Sequence, residues 1–145
     1  MYRVLIVEDE DIIRKGIAYT MDWMSMDCVI AGEAANGKEG VEKILELRPD
    51  IVVADIMMPY MNGIEMIRST KDQVPYKSIL LTSYAEFSYA KQAIDLKVSD
   101  YLMKPVEEDD LLPFILYCMI YHNRQSVNGC SYITVSQRQS LRPRH

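Results

Sequence analysis

The sequence predicts an α/β fold: a doubly wound, five-stranded parallel sheet with helices on both faces. Two observations carry that prediction. Short runs that are apolar at successive positions recur five times within the first 121 residues, as strands covered on both faces require. Between them lie segments with apolar residues at helical spacing, and each parallel crossover needs such a helix. A length of 145 residues with 49% hydrophobic content suits one domain with its own core.

The predicted strands cover residues 3–7, 29–34, 51–54, 78–81 and 101–103. After the first strand, Ile13, Ile17, Met21 and Met24 fall on one helical face and predict a helix reaching Met24. The run Glu8-Asp9-Glu10-Asp11 leads into it, where negative charge suits the helix dipole and Asp11 is a candidate cap. Asn36-Gly37 turns the chain into a second helix carried by Val41, Ile44 and Leu45. A short third helix, on Ile64 and Ile67, follows the turn residues Pro59 to Gly63. Val74-Pro75 precedes the fourth strand, and Phe87, Ala90 and Ile94 mark the fourth helix. The last helix is unusual: residues 111–121 contain no charge, and Pro113 lies among them. It is expected to kink or to start later than Glu107. A helix apolar all round has both sides covered, which points to a partner surface.

Charge is unevenly placed. Residues 1–110 hold all 21 acids and 12 of the 16 bases, a balance of −9, whereas residues 111–145 carry +4. So acidic a body fits a phosphate backbone poorly, which argues against DNA binding by this domain itself. Three cysteines without C-x-x-C spacing, and two histidines, discourage a disulfide framework or a zinc site. Nothing resembles a signal peptide, and the longest uncharged apolar stretch is too short to cross a bilayer; a cytoplasmic protein with no membrane partner is expected. Residues 122–145 are rich in Ser, Gln, Asn and Arg without apolar period and read as a linker or disordered tail after a domain spanning 1–121.

In doubly wound sheets, ligands bind beyond the carboxyl ends of the strands, where the winding reverses. Glu8 and Asp9, Asp55, Thr82 and Lys104 follow or close the first, third, fourth and fifth strands. Three crowded carboxylates need raised pKa values or a cation, and Mg²⁺ answers the need. Lys104 adds a positive charge, Thr82 a hydroxyl, and a carboxylate so placed can attack phosphorus to form an aspartyl phosphate. Each residue taken singly also has a plain reading: caps at Glu8 to Asp11, a turn former at Asp55, a loop lysine at Lys104. Convergence at one sheet edge is what separates the two readings.

These residues carry a resemblance. Asp55-Ile56-Met57-Met58-Pro59-Tyr60-Met61-Asn62-Gly63 resembles the phosphoacceptor segment of response-regulator receiver domains. Val4-Leu5-Ile6-Val7-Glu8-Asp9-Glu10 is similar to that family's first strand and acidic pair; Ile79-Leu80-Leu81-Thr82-Ser83 and Asp100-Tyr101-Leu102-Met103-Lys104-Pro105 complete the set in order. Residues 83–90 further resemble receivers attached to AraC-type DNA-binding domains. The resemblance implies the flavodoxin-like receiver fold with strand order 2-1-3-4-5. It implies that Asp55 accepts a phosphoryl group from a sensor histidine kinase, so the chain is a phosphorelay acceptor rather than an enzyme. Glu8, Asp9, Asp55 and the Met57 backbone carbonyl would hold Mg²⁺. Lys104 would pair with phosphoryl oxygens across a cis Lys104-Pro105 peptide, and Thr82 and Tyr101 would form the switch pair.

Met57 and Tyr84, two beyond the acceptor and two beyond the switch threonine, offer no carboxylate or amide to orient water. Slow self-dephosphorylation is therefore expected. The family's common dimer face uses the last helix through salt bridges, but residues 111–121 have no charge and favour an apolar homodimer. An AraC-type effector domain would need about a hundred residues, so DNA would be reached only through an output domain absent from this chain. The chain then reads as a piece of a longer regulator or as one that works alone. Three rival readings fit the residues less well. A haloacid-dehalogenase-like phosphatase wants an acid where Met57 stands. A flavin module wants a phosphate-friendly first loop where four acids stand. A non-catalytic interaction scaffold would leave the acid–lysine set without a purpose.

Overall fold

Among the residues that the computed structural model describes, 1–83 and 87–122, five strands alternate with five α-helices. In chain order these are β1 (Tyr2–Val7), α1 (Asp11–Thr20), β2 (Cys28–Ala34), α2 (Gly37–Leu47), β3 (Ile51–Asp55), α3 (Gly63–Thr70), β4 (Lys77–Thr82), α4 (Phe87–Asp95), β5 (Asp100–Met103) and α5 (Glu108–His122). All strand pairs are parallel, and the sheet order is β2-β1-β3-β4-β5. The predicted doubly wound sheet and its order are both present. The tail expected over 122–145 lies, from residue 123 onward, outside the described residues, as does Tyr84.

Alternation along β1 divides the core. Val4 and Ile6 join one cluster with Ile17 and Ala18 of α1 and Leu111, Phe114 and Ile115 of α5. Leu5 and Val7 join the other with Ile44 of α2, Ile64 and Ile67 of α3 and Ala93 of α4. Helices α1 and α5 thus cover one face and α2 to α4 the other. Side chains on successive positions of a central strand are buried on opposite faces, which is why these strands are apolar throughout. The winding reverses between β1 and β3, and their carboxyl ends open onto one edge.

Three local departures from the sequence reading have physical causes. Helix α1 stops at Thr20, short of Met21 and Met24; Met24 instead opens a short 3₁₀ turn, Met24–Met26. The backbone turns extended at Met21 (ψ 145°), and the buried Trp23 indole N–H donates back to the Ile17 carbonyl in the last turn of α1 at 2.9 Å. Asp11 does not cap α1: Glu10 holds the N-cap position without a side-chain bond, and Asp11 pairs with Arg14 one turn on. Helix α5 begins just after Glu107 and is continuous through Pro113. Pro113 and the adjoining Leu112 face outward, while Leu111, Phe114 and Ile115 are buried, so over residues 111–116 the chain itself covers one face of α5.

Candidate functional site

The β1 strand delivers Glu8 and Asp9 to the sheet edge. The Glu8 amide donates to the Ala34 carbonyl at the end of β2 at 3.0 Å, so the turn leaves the sheet only after Glu8. Asp55 is the last residue of β3, and the next amide, Ile56, still donates to the Leu81 carbonyl at 3.0 Å. Thr82 ends β4, fully buried, and its carbonyl accepts from the Lys104 amide at 2.8 Å just beyond β5. Four strand ends therefore place the five residues together, each anchored by sheet-like backbone bonds.

The charged groups meet. Lys104 Nζ lies 2.7 Å from Glu8 Oε2 and 3.0 Å from Asp55 Oδ2. Glu8, Asp9 and Asp55 each offer a carboxylate oxygen, and these oxygens lie within 4.8 Å of one another. Burial raises the Glu8 pKa from 4.5 to about 7, partly offset by the hydrogen bond to Lys104, and the Asp55 charge adds to the rise. Burial likewise pushes Asp55 up, against the pull of Lys104, with Asp9 repelling its charge. Burial opposes the Lys104 charge, but hydrogen bonds to Glu8 and Asp55 more than offset it and raise its pKa. Three acids facing one ammonium leave a deficit of positive charge. All-oxygen donors in that state fit a hard divalent cation such as Mg²⁺, and Glu8, Asp9 and Asp55 are the side chains placed to hold one.

The rest of the predicted set is arranged around this centre. Tyr101 is buried within β5, level with Leu80 of β4. The Lys104-Pro105 peptide is cis, as expected. Met57 sits in the segment between β3 and α3 with its side chain half exposed, and its sulfur accepts from the Tyr89 hydroxyl of α4 at 3.1 Å.

Several residues that shape the site have a part in it beyond the turn signals and motif positions that the sequence offers. Gly63 opens α3, and a Cβ there would overlap the Asp55 carbonyl, so only glycine lets α3 start this close to the acceptor strand. Asn62 caps that helix by accepting from the Glu65 amide at 2.8 Å, an Asn-x-x-Glu spacing that could have been recognised. Tyr60, in the same segment, holds a left-handed φ of 70°. Arg14 donates to the Glu8 carbonyl at 2.9 Å and to Glu33 of β2 at 3.2 Å; the i,i+3 spacing announces only its pairing with Asp11.

Comparison with known proteins agrees with this geometry. Residues 4–115 match the family described as the response regulator receiver domain. The transcriptional regulatory protein YesN of Bacillus subtilis is 36% identical over 129 residues, covering 88% of this chain and 35% of YesN. The response regulator protein VraR of Staphylococcus aureus is 34% identical over 110 residues, covering 75% of this chain and 52% of VraR. This chain thus spans roughly a third to a half of the length of these relatives. Among solved structures, the REC domain of AraT, a response regulator from Geobacillus stearothermophilus, superposes with a TM-score of 0.78 at 35% identity. That match covers 86% of this chain and 98% of the AraT domain.

Proposed function

The chain belongs to the response regulator receiver family, the phosphoacceptor domains of two-component signalling, and from that membership we propose that Asp55 is its acceptor. The observation that carries the proposal is the Asp55 carboxylate at the end of β3, 3.0 Å from Lys104 and beside Glu8 and Asp9. A carboxylate oxygen of Asp55 attacks the phosphorus of a phosphohistidine on a sensor kinase. The new O–P bond forms as the P–N bond breaks, and the imidazole leaves with the bonding electron pair. Lys104 exchanges its present carboxylate partners for phosphoryl oxygens, and the Thr82 hydroxyl donates to another. Glu8, Asp9, Asp55 and the Met57 carbonyl would hold Mg²⁺, which would supply the charge neutralisation that an anionic donor needs at an acidic pocket. The same acceptor would take a phosphoryl group from a small donor such as acetyl phosphate without a kinase.

A cleft of about 460 Å³ opens beside Lys104, between Ile13, Gly16 and Ile17 of α1 and Pro105 and Val106 after β5. It offers a kinase an apolar footing next to the acceptor. The new dianion on Asp55 then biases a two-state element, the Thr82 hydroxyl and the Tyr101 ring, and so alters the surface of α4, β5 and α5. Output to DNA would run through a domain separate from this acidic one, for which the greater length of the relatives leaves room.

The deciding experiment is incubation with Mg²⁺ and labelled acetyl phosphate. Wild type should take up about one acid-stable, hydroxylamine-labile phosphoryl group, and Asp55→Asn none. Equal labelling of the two would remove Asp55 from the role. Met57 offers no group to orient water, so label should decay over minutes to hours, and Met57→Asn should shorten its half-life severalfold. Decay within seconds from wild type would contradict this.

A further inference from the structure

We propose that Arg14 is a positioning residue for the acidic pocket: its guanidinium fixes the Glu8-Asp9 peptide unit, so that the carboxylates stand ready for a divalent cation. The inference rests on the Mg²⁺-dependent acceptor reading and adds to it a residue outside the acid–lysine set. Arg14, on α1, is largely buried, with 11% of its side chain exposed. Its Nη1 donates to the Glu8 carbonyl at 2.9 Å, its Nε donates to Glu33 Oε1 on β2 at 3.2 Å, and its Nη2 pairs with Asp11. Glu33 is itself oriented, because its Oε2 accepts from the Tyr19 hydroxyl at 2.6 Å.

The consequence lies in the backbone of the acidic turn. The Glu8 amide is held by the Ala34 carbonyl of β2 and the Glu8 carbonyl by Arg14, so the peptide planes on both sides of Glu8 are fixed. Asp9 leaves directly from the second of those planes. A planar fork with donors in three directions can bind a carbonyl and two carboxylates at once, which a lysine ammonium on its flexible stem cannot reproduce. Groups that orient metal ligands in this way typically alter metal affinity by 10- to 100-fold when removed.

Charge alone makes the opposite prediction. Arg14 is a cation near a site for a cation, so neutralising it without loss of geometry would tighten Mg²⁺ binding. Mg²⁺ titration by calorimetry on wild type, Arg14→Gln and Arg14→Lys, with circular dichroism to check folding, separates the two. Positioning predicts that both variants bind Mg²⁺ about tenfold more weakly than wild type. Tighter binding by Arg14→Gln, or wild-type binding by Arg14→Lys, would overturn it. Should Arg14→Gln not fold, Arg14→Lys carries the comparison, since it retains the charge and loses the fork. Wild type that binds no Mg²⁺ would overturn the metal reading and this inference together, whereas binding unaffected by the substitutions would overturn this inference alone.

Discussion

Full burial of Glu8 beside Lys104 and Asp55 gives the metal-free protein a definite pH response. Its pKa is about 7 in the folded chain against 4.5 for the free side chain, and Asp55 is displaced in the same direction. An acid with a raised folded pKa favours folding fully below its unfolded pKa, and that contribution is lost as pH rises through the folded value. Lys104, raised above 10.5, remains charged across this window and adds no slope. Glu8 should therefore pull stability down between about pH 4.5 and 7, and Glu8→Gln should flatten that limb in urea denaturations run without metal. A variant that falls as steeply as wild type would mean that Glu8 ionises freely. At this scale the sequence was legible where strand topology alone delivers a residue: Glu8, Asp9, Asp55, Thr82 and Lys104 all converge. Arg14 was not legible, and Gly63 was legible only as a turn residue, because their further importance lies in partners on other elements: Glu33 for the first and the Asp55 carbonyl for the second.

Elements follow the apolar pattern until a tertiary bond competes with it. The periodicity through Met24 predicts a longer α1, yet the backbone turns extended at Met21, the Trp23 indole reaches back to the Ile17 carbonyl, and the helix ends at Thr20. No count of apolar spacings contains that hydrogen bond, whereas the strands, defined by their own continuous runs, were read within a residue or two of their bounds. Helix α5 shows the reverse case, in which composition raised a question that geometry narrows. Its inner face is occupied by Leu111, Phe114 and Ile115, leaving an outer stripe in which Leu112 is 37% and Leu116 49% exposed. Apolar side chains one turn apart on a solvent face suit self-association better than the salt bridges of a charged dimer face. With Mg²⁺ and beryllofluoride the chain should therefore dimerise by light scattering. Leu116→Glu should weaken the dimer at least tenfold while leaving phosphoryl uptake by Asp55 intact. Dimers of undiminished affinity in that variant would place the interface elsewhere.

The whole molecule is two half-cores on either side of one sheet, and the acidic pocket opens where their windings part. Helices α1 and α5 cover one face of the sheet and α2 to α4 the other, so the four strand ends that carry the pocket cannot separate without opening both cores. Repulsion among Glu8, Asp9 and Asp55 is accordingly borne by the global fold and not relieved by local fraying. It adds to the acidity of residues 1–110, whose balance is −9. A ligand that binds only the folded state stabilises it by RT ln(1 + [L]/Kd), about 2.7 kcal/mol at a hundredfold excess over Kd. Mg²⁺ at that excess should raise the midpoint of thermal unfolding by roughly 9–11 °C for a domain of this size, whose unfolding entropy is about 2.1 cal/mol/K per residue. NaCl at equal ionic strength should give much less, because screening acts on exposed charges and reaches buried ones weakly. Asp9→Asn and Asp55→Asn should each raise the metal-free midpoint by easing the repulsion and should shrink the Mg²⁺ response. Equal shifts from NaCl and Mg²⁺ would reduce the effect to screening of the surface. A saturable shift lost in both variants would tie the stability of the entire sheet to a few oxygens at its edge.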